Sequence, residues 1–430
     1  HILKYQPKTE INQIVEHFFR HESGKMISVL TGIFGSSKIQ LAEDIVQDTI
    51  IEAISNWTYK GIPENPIAWL YTVAKNKTLN SLNRGKKLEQ IIADKFQSIS
   101  ANPAFDILQT DFFSEDQILD DQLRMMFVCC HPSISHDSQI ALILKTLCGF
   151  NINEIAKSFL TNKESINKRL VRARKTIREN EIPFELPANT EMEKRMDAVL
   201  EAIYLLFNEG YNASNGEELI RRDLCNESIR LAELVVENKA IGQKSEVYAL
   251  IALMQLNSSR FKSREDQQGN ILTLSEQNRS LWDLEIMERG FTNLKKAAED
   301  QPISAYHLMA SISAYHCSAR DFKSTDWESI ILLYDKLYSL NKSPLLILNR
   351  SIALSNSGKT REALVQLVSI ENEKLIKTNY LFYSAKAEIH FQLKEYNHAQ
   401  LALKRAIELA PLVAEKRLLE KRFSKYFEKN

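Results

Sequence analysis

Asn151–Arg178 constrains this chain more than any other stretch. It reads NINEIAKSFLTNKESINKRLVRARKTIR. Ile152, Ile155, Ala156 and Phe159 recur at helical spacing. Asn151 or Asn153 can cap that helix, because a short side-chain acceptor satisfies free N–H groups at a helix start. Leu160-Thr161-Asn162 is a polar break. Beyond it, Ile166, Leu170, Ala173 and Ile177 share one helical face. Lys163, Lys168, Arg169, Arg172, Arg174, Lys175 and Arg178 occupy the other faces, against the single acid Glu164. Ala156 is small enough to let the second helix cross closely over the first. A short helix, a tight turn and a basic helix form the layout of a helix-turn-helix on duplex DNA. The bland alternative is a surface αα-hairpin with a solvated basic face.

With 430 residues the chain has room for two or three domains, each with its own core. Only 12 Gly and 10 Pro interrupt it, which argues for an all-α protein. The formal net charge is zero, so affinity for nucleic acid must come from local basic surfaces. Five irregularly spaced cysteines make no disulfide framework and read as a reducing compartment. Cys129-Cys130-His131 with Cys148 lacks the ligand spacing of structural zinc, and helical stripes account for Cys130 and Cys148 as small buried hydrophobes. No signal-peptide pattern opens the chain, and no apolar run reaches the roughly 18–20 residues that span a bilayer. The expected location is therefore cytoplasmic. His rather than Met at position 1 reads as a trimmed start.

Residues 10–35 read as a pair of helices. Leu41–Trp57 is a longer helix with Leu41, Ile45, Val46, Ile50, Ala53, Ile54 and Trp57 as its apolar stripe. Asp44, Asp48 and Glu52 line its other side one turn apart, with Glu43 beside them and no Lys or Arg between Gln40 and Tyr59. Like charges one turn apart cost a few tenths (~0.2–0.5) of a kcal/mol per pair. Such a stripe suits a basic partner, or else it is a solvated acidic face. Thr58–Pro66 is a loop, and Ile67–Leu82 a helix whose exit carries Lys75, Asn76, Lys77, Asn80, Asn83 and Arg84. Amides can pair with base edges and cations with phosphates. Trp69 and Tyr71 lie beside this surface, as stacking platforms for unpaired bases or as core.

Leu88–Gln117 is polar and acidic and reads as a linker whose acids are Asp94, Asp106, Asp111, Glu115 and Asp116. Asp120–Cys148 holds two helices that lead into the helix-turn-helix. From Glu191 onward helix pairs follow one another. The last pair fits the roughly 34-residue tetratricopeptide frame, with Ala387, Ala399 and Ala406 in the small places and Pro411 near the end. The pair before it is weaker, with Ser351, Ala363 and Gly358. In Glu191–Ala298 no frame is visible. Helix pairs that cannot bury a face alone need neighbours, so a stacked α-solenoid is expected. Phe207, Asn208, Glu209, Gly210 and Tyr211 form either a polar-aromatic contact patch or a plain helix end capped by Gly210.

LAEDIVQDTIIEAISNW, GIPENPIAWLYTVAKNKTLNSLNR and ALILKTLCGFNINEIAKSFLTNKESINKRLVRARKTIRE, in that order, resemble the two conserved regions of bacterial sigma factors of the extracytoplasmic-function type. YLLFNEGYNAS, RRDLCNESIRL, STDWESIILLYD and LNRSIAL resemble the tetratricopeptide-like extension of one subgroup. The resemblance implies an all-α chain: region 2 at 1–90, a linker at 91–119, a region 4 helix-turn-helix at 120–185 and a regulatory helical extension at 190–430. It implies that Asp44 and Asp48, supported by Glu43 and Glu52, dock on the clamp helices of the largest subunit of core RNA polymerase. The melted −10 element would be held by Lys75, Asn76, Asn80 and Arg84, with Lys60 and Ile62 in a loop that captures a flipped base. Lys163, Ser165, Asn167 and Lys168 would face −35 base edges, and Arg169, Arg172 and Arg174 would hold phosphates. Relatives often carry an acid in the place of Asn80, which leaves the −10 preference open. The extension is expected to act in cis, through contact with the sigma domains or polymerase.

Two other readings stand beside this one: a repressor or activator with a tetratricopeptide sensor, and an interaction scaffold whose basic helix is incidental. An enzyme is not expected, since no Gly-rich phosphate loop, metal-ligand cluster or nucleophile motif is present. His131, His136, His307, His316, His390 and His398 read as scattered, and neither cofactor nor metal is expected.

Overall fold

The computed structural model describes residues 8–84, 113–159, 161–212, 220–299 and 302–427, with backbone alone for 8–17, 19, 83 and 84. Among the described residues there are α-helices and short 3-10 turns but no strand, and one isolated bridge joins Glu265 to Ile271. The all-α class holds. The chain divides into two compact units: His1–Leu206 with Glu237–Gly242, and Phe207–Val236 with Gln243–Asn430.

The first unit is organised on α1 (Lys8–Phe34), one continuous helix where the sequence suggested two. Gly24 does not break it. A Cβ there would fall 2.1 Å from the carbonyl oxygen of Leu147, so glycine serves close approach rather than a turn. Next come α2 (Ile39–Lys60), α3 (Pro66–Arg84), α4 (Glu115–Cys129), α5 (His136–Thr146), α6 (Ile152–Ser158) and α7 (Lys163–Glu179). The start of α4 lies at Glu115 rather than Asp120, because Glu115 and Asp116 occupy a first turn where acids oppose the helix dipole favourably. Asp94, Asp106 and Asp111 of the expected linker lie outside the described residues.

Helix α1 packs against both α2 and α4. Its Met26, Val29 and Leu30 are buried, as are Leu123, Met126 and Phe127 of α4 and Ile140, Ile143 and Leu144 of α5. Segments 1–90 and 120–185, separate domains in the sequence reading, therefore lie within one packed unit. The early part of α8 (Asn189–Tyr211) joins it as well, so the division falls after Leu206 rather than near residue 190. Arg195 on α8 donates to the carbonyl of Phe127 at 2.9 Å, and His136 and Glu201 approach to 2.9 Å.

In the second unit α9 (Arg222–Glu237), α10 (Ser245–Ser258), α11 (Leu284–Ala297), α12 (Ala305–Ser318), α13 (Trp327–Leu340), α14 (Pro344–Asn356) and α15 (Thr360–Ile370) succeed one another. Then follow the short α16 (Lys374–Lys377), α17 (Tyr380–Gln392), α18 (Tyr396–Leu409) and α19 (Val413–Phe427). Ala387, Ala399 and Ala406 are buried, as are Ser351 and Ala363, so the small places of the repeat frame are where helices meet. The sequence reading missed α16 and α19. Leu419, Phe423 and Tyr426 of α19 close the apolar cluster around Leu403 and Ala406.

Residues 207–211 are neither a contact patch nor a capped helix end. Phe207 is buried, Tyr211 stacks on it at 5.6 Å, and the Arg264 guanidinium lies 3.8 Å from the Tyr211 ring centre. A Cβ on Gly210 would meet Cys225 Sγ at 2.7 Å and Arg221 O at 2.9 Å, so glycine admits α9 here. No helix among the described residues is long and apolar enough to cross a membrane.

Candidate nucleic-acid interface

The helix-turn-helix is built by its two asparagine caps. Asn151 Oδ1 accepts from the amides of Asn153 at 2.9 Å and Glu154 at 3.1 Å. Glu154 returns a carboxylate oxygen to the Asn151 amide at 2.8 Å, which completes a capping box. Asn162 starts α7 by accepting from the Ser165 amide at 2.9 Å. Ile166, Leu170, Ala173 and Ile177 are buried, as their spacing required. Leu160 lies outside the described residues.

Along α7 the structure exposes Lys163, Asn167, Lys168 and Arg172, and leaves Ser165 half-buried. Lys168 pairs with Glu164 one turn away at 2.7 Å. The three arginines expected on phosphates do not behave alike. Arg169 is half-buried, 3.0 Å from Asp137 and over the Phe159 ring at 5.0 Å. Arg174 turns inward and is held by Glu43 on α2, with both carboxylate oxygens at 2.8 Å. Only Arg172 projects as expected. It shares with Arg169, Ser135 and His136 an open cavity of about 370 Å³.

The acidic stripe of α2 divides in the same way. Asp44 and Asp48 are exposed, and Gln40 donates to Asp44 at 2.9 Å. Glu52 is half-buried and pairs with Lys77 at 2.9 Å. Glu43 is only 3% exposed. It is thus a buried pairing residue and not part of an open docking face. A sequence signal for this exists: Ile39, Val46 and Ile50 lie four before, three after and seven after Glu43, and all are buried. The absence of Lys or Arg between Gln40 and Tyr59 left both acids looking uncompensated, but their cations come from α3 and α7.

On α3, Asn76 and Asn80 are exposed and Lys75 is half-buried. Lys60 and Tyr59 are exposed at the end of α2, Tyr59 at 83%. Ile62 is half-buried and packs against the Trp57 cluster. The Arg84 side chain lies outside the described residues. Trp69 packs on Trp57 with centroids 5.5 Å apart. Tyr71 stacks on Phe113 at 4.5 Å and donates to Glu22. Both are partly buried and already packed on aromatic neighbours within the protein.

The sequence reading also missed the pair Arg20–Glu154, which joins α1 to the capping box at 2.8 Å. Asp121 on α4 is buried, and burial raises its carboxyl despite Gln117 and Arg124 beside it. The five cysteines are all buried, and none forms a disulfide. Burial pushes the Cys129 thiol up to about 12. Among the described residues, one set of side chains has metal-ligand character, and it lies elsewhere: His390, Glu395 and His398. The turn between α17 and α18 brings together two histidines that the sequence reading left scattered.

These helices define a class. Residues 18–88, covering α2, α3 and most of α1, match the sigma-70 region 2 family, which supports a sigma-70 family factor. Residues 195–298 match a family of unknown function, DUF6596. This is the segment in which no repeat frame was visible. An uncharacterized protein of Rhizobium meliloti (strain 1021) is 33% identical over 378 residues, covering 88% of each chain. The chain belongs to the same family as that protein. No solved structure matches it.

Proposed function

We propose that this chain is a sigma factor of the extracytoplasmic-function type, a non-enzymatic cytoplasmic subunit that brings core RNA polymerase to promoters. The observation that carries the reading is the division of labour on α2 and α3. Asp44 and Asp48 form an exposed acidic pair on α2, while Asn76 and Asn80 form an exposed amide pair on α3. Both lie within the segment similar to sigma-70 region 2. Asp44 and Asp48 dock on the polymerase clamp helices. Asn76, Asn80, Lys75 and the Tyr59–Ile62 turn meet the melted −10 strand. Lys163, Asn167, Lys168 and Arg172 meet the −35 duplex, with Arg169 drawn onto a phosphate when its surface pair with Asp137 opens. A pair of that exposure contributes only about 0–1 kcal/mol, so the exchange costs little. The helical extension, tetratricopeptide-like in its last pairs, regulates this activity in cis.

A repressor or activator that works without polymerase has no use for an acidic docking pair. Run-off transcription with purified core polymerase and genomic promoter fragments separates the two. Promoter-dependent transcripts that vanish in Asp44→Ala/Asp48→Ala support the sigma reading. Duplex binding by mobility shift with no transcript in any condition supports the repressor. Absence of both supports a scaffold.

A further inference from the structure

The turn between α17 and α18 holds an arrangement that the transcription reading does not use. His390 is on the last turn of α17 with its ring buried, and Glu395 and His398 open α18. Lys394 adopts a left-handed conformation with φ 62°, and the Glu395 amide donates to the His390 carbonyl at 2.9 Å. That tight reversal folds the second helix back on the first. It puts His390 Nδ1 2.7 Å from a Glu395 carboxylate oxygen and stacks the two imidazoles with centroids 5.2 Å apart. One ligand atom from each of the three side chains lies within 4.8 Å of the others.

We propose that His390, Glu395 and His398 form a site for a divalent transition metal of the zinc type. Two imidazole nitrogens and one carboxylate favour zinc, cobalt or nickel over magnesium or calcium, which prefer all-oxygen shells. Metal–ligand distances of about 2.0–2.2 Å set tetrahedral donors about 3.3–3.6 Å apart, so His398 must close in while the His390–Glu395 contact opens slightly. His398 is exposed and free to make that movement, while His390 and Glu395 are already in contact. Arg361 approaches Glu395 at 3.4 Å through the other carboxylate oxygen, so it can orient the ligand without occupying the coordinating atom. Three protein ligands at an exposed turn leave a coordination position open to water or to a group from outside the chain. When bound, the metal would tie α17 to α18.

The test uses the full-length chain stripped with a chelator and titrated with Co²⁺ alone. One equivalent of cobalt should bind with a visible ligand-field band. His398→Ala and Glu395→Gln should each weaken binding by about tenfold or more. Both substitutions are at positions that are not deeply buried, and circular dichroism checks that each variant is folded. Zn²⁺ should raise the thermal midpoint of the wild type and leave that of His398→Ala in place. Equal cobalt binding with the same spectrum in both folded variants would overturn the assignment. So would no band in the wild type with cobalt in large excess.

Discussion

The two units are held together over very different distances along the chain. In the first, Arg174 reaches back 131 residues to Glu43, and the Ser36 hydroxyl donates to the Ile182 carbonyl 146 residues away. In the far half of the second unit, Tyr380 pairs with Glu415, 35 residues on, Ser355 with Gln392, 37 on, and Arg350 with Asp335, 15 away. Each helix there meets mainly its sequence neighbours. A structure closed by distant pairs gains or loses its contacts together, whereas a stack of neighbours can open one layer at a time.

The largest test of this contrast is Arg174→Ala. It leaves the Glu43 carboxylate buried without its cation and should cost the first unit about 3–5 kcal/mol. The readout is urea unfolding followed by Trp57 and Trp69, the two tryptophans of that unit. Replacing both partners by apolar residues, Glu43→Leu with Arg174→Met, should recover most of the loss. Failure to recover would mean that the pair does more than fill a buried polar site.

Leu403→Ala comes next. Leu403 is fully buried between α17, α18 and α19. Its truncation should cost about 2–5 kcal/mol. In a stack of neighbours that cost stays local. Hydrogen exchange should quicken across 380–427 and stay slow in 305–340. Uniform acceleration would show that the second unit is as cooperative as the first.

A smaller effect follows from His316 in the second unit. Burial, aided by Arg260 and Arg279, lowers its pKa to about 4 from an ordinary value of 6.5. Its Nδ1 is buried with no hydrogen-bond partner among the described residues. The unfolded chain then binds more protons than the folded one between these two values, so stability rises with pH there. It should be fully present above about pH 6.5 and be lost as pH falls toward about 4. His316→Gln should flatten that part of the stability–pH curve. The smallest change in stability is expected from Asp44→Ala/Asp48→Ala, within about 0.5 kcal/mol, since both side chains are exposed. Affinity for core polymerase should nevertheless drop, and unchanged affinity would remove these residues from the docking face.

Much of this architecture was legible in the sequence. Scarce Gly and Pro gave the all-helical class, and Asn151, Ala156 and the Ile166–Ile177 stripe gave the helix-turn-helix. Asp44, Asp48, Asn76 and Asn80 lie exposed as read. What was hidden depends on partners far along the chain. Periodicity places a side chain on a face but does not say what covers that face, so the partnerships of Glu43, Arg174 and Arg169 were out of reach. The aromatic neighbours of Trp69 and Tyr71 were hidden for the same reason. His390 and His398 looked unrelated because one left-handed residue, Lys394, sets their separation in space. The first unit's unity was hidden most of all, because contacts such as Gly24 against the Leu147 carbonyl join residues far apart along the chain.

The ion pair between Glu43 and Arg174 has a further consequence. A ligand that claims Glu43 must release Arg174, and a nucleic acid that claims Arg174 must release Glu43. Two ligands that break the same contact each spare the other that work, and by thermodynamic reciprocity each raises the other's affinity by the same factor. Both residues are covered in the free chain, so on the proposed sigma reading polymerase and promoter reach them only by opening this pair, and the binding of one then eases that of the other. Promoter affinity measured with and without core polymerase should then differ more in the wild type than in Glu43→Gln, where the contact is already weakened. Equal ratios in the two proteins would show that the pair is a fastening and nothing else.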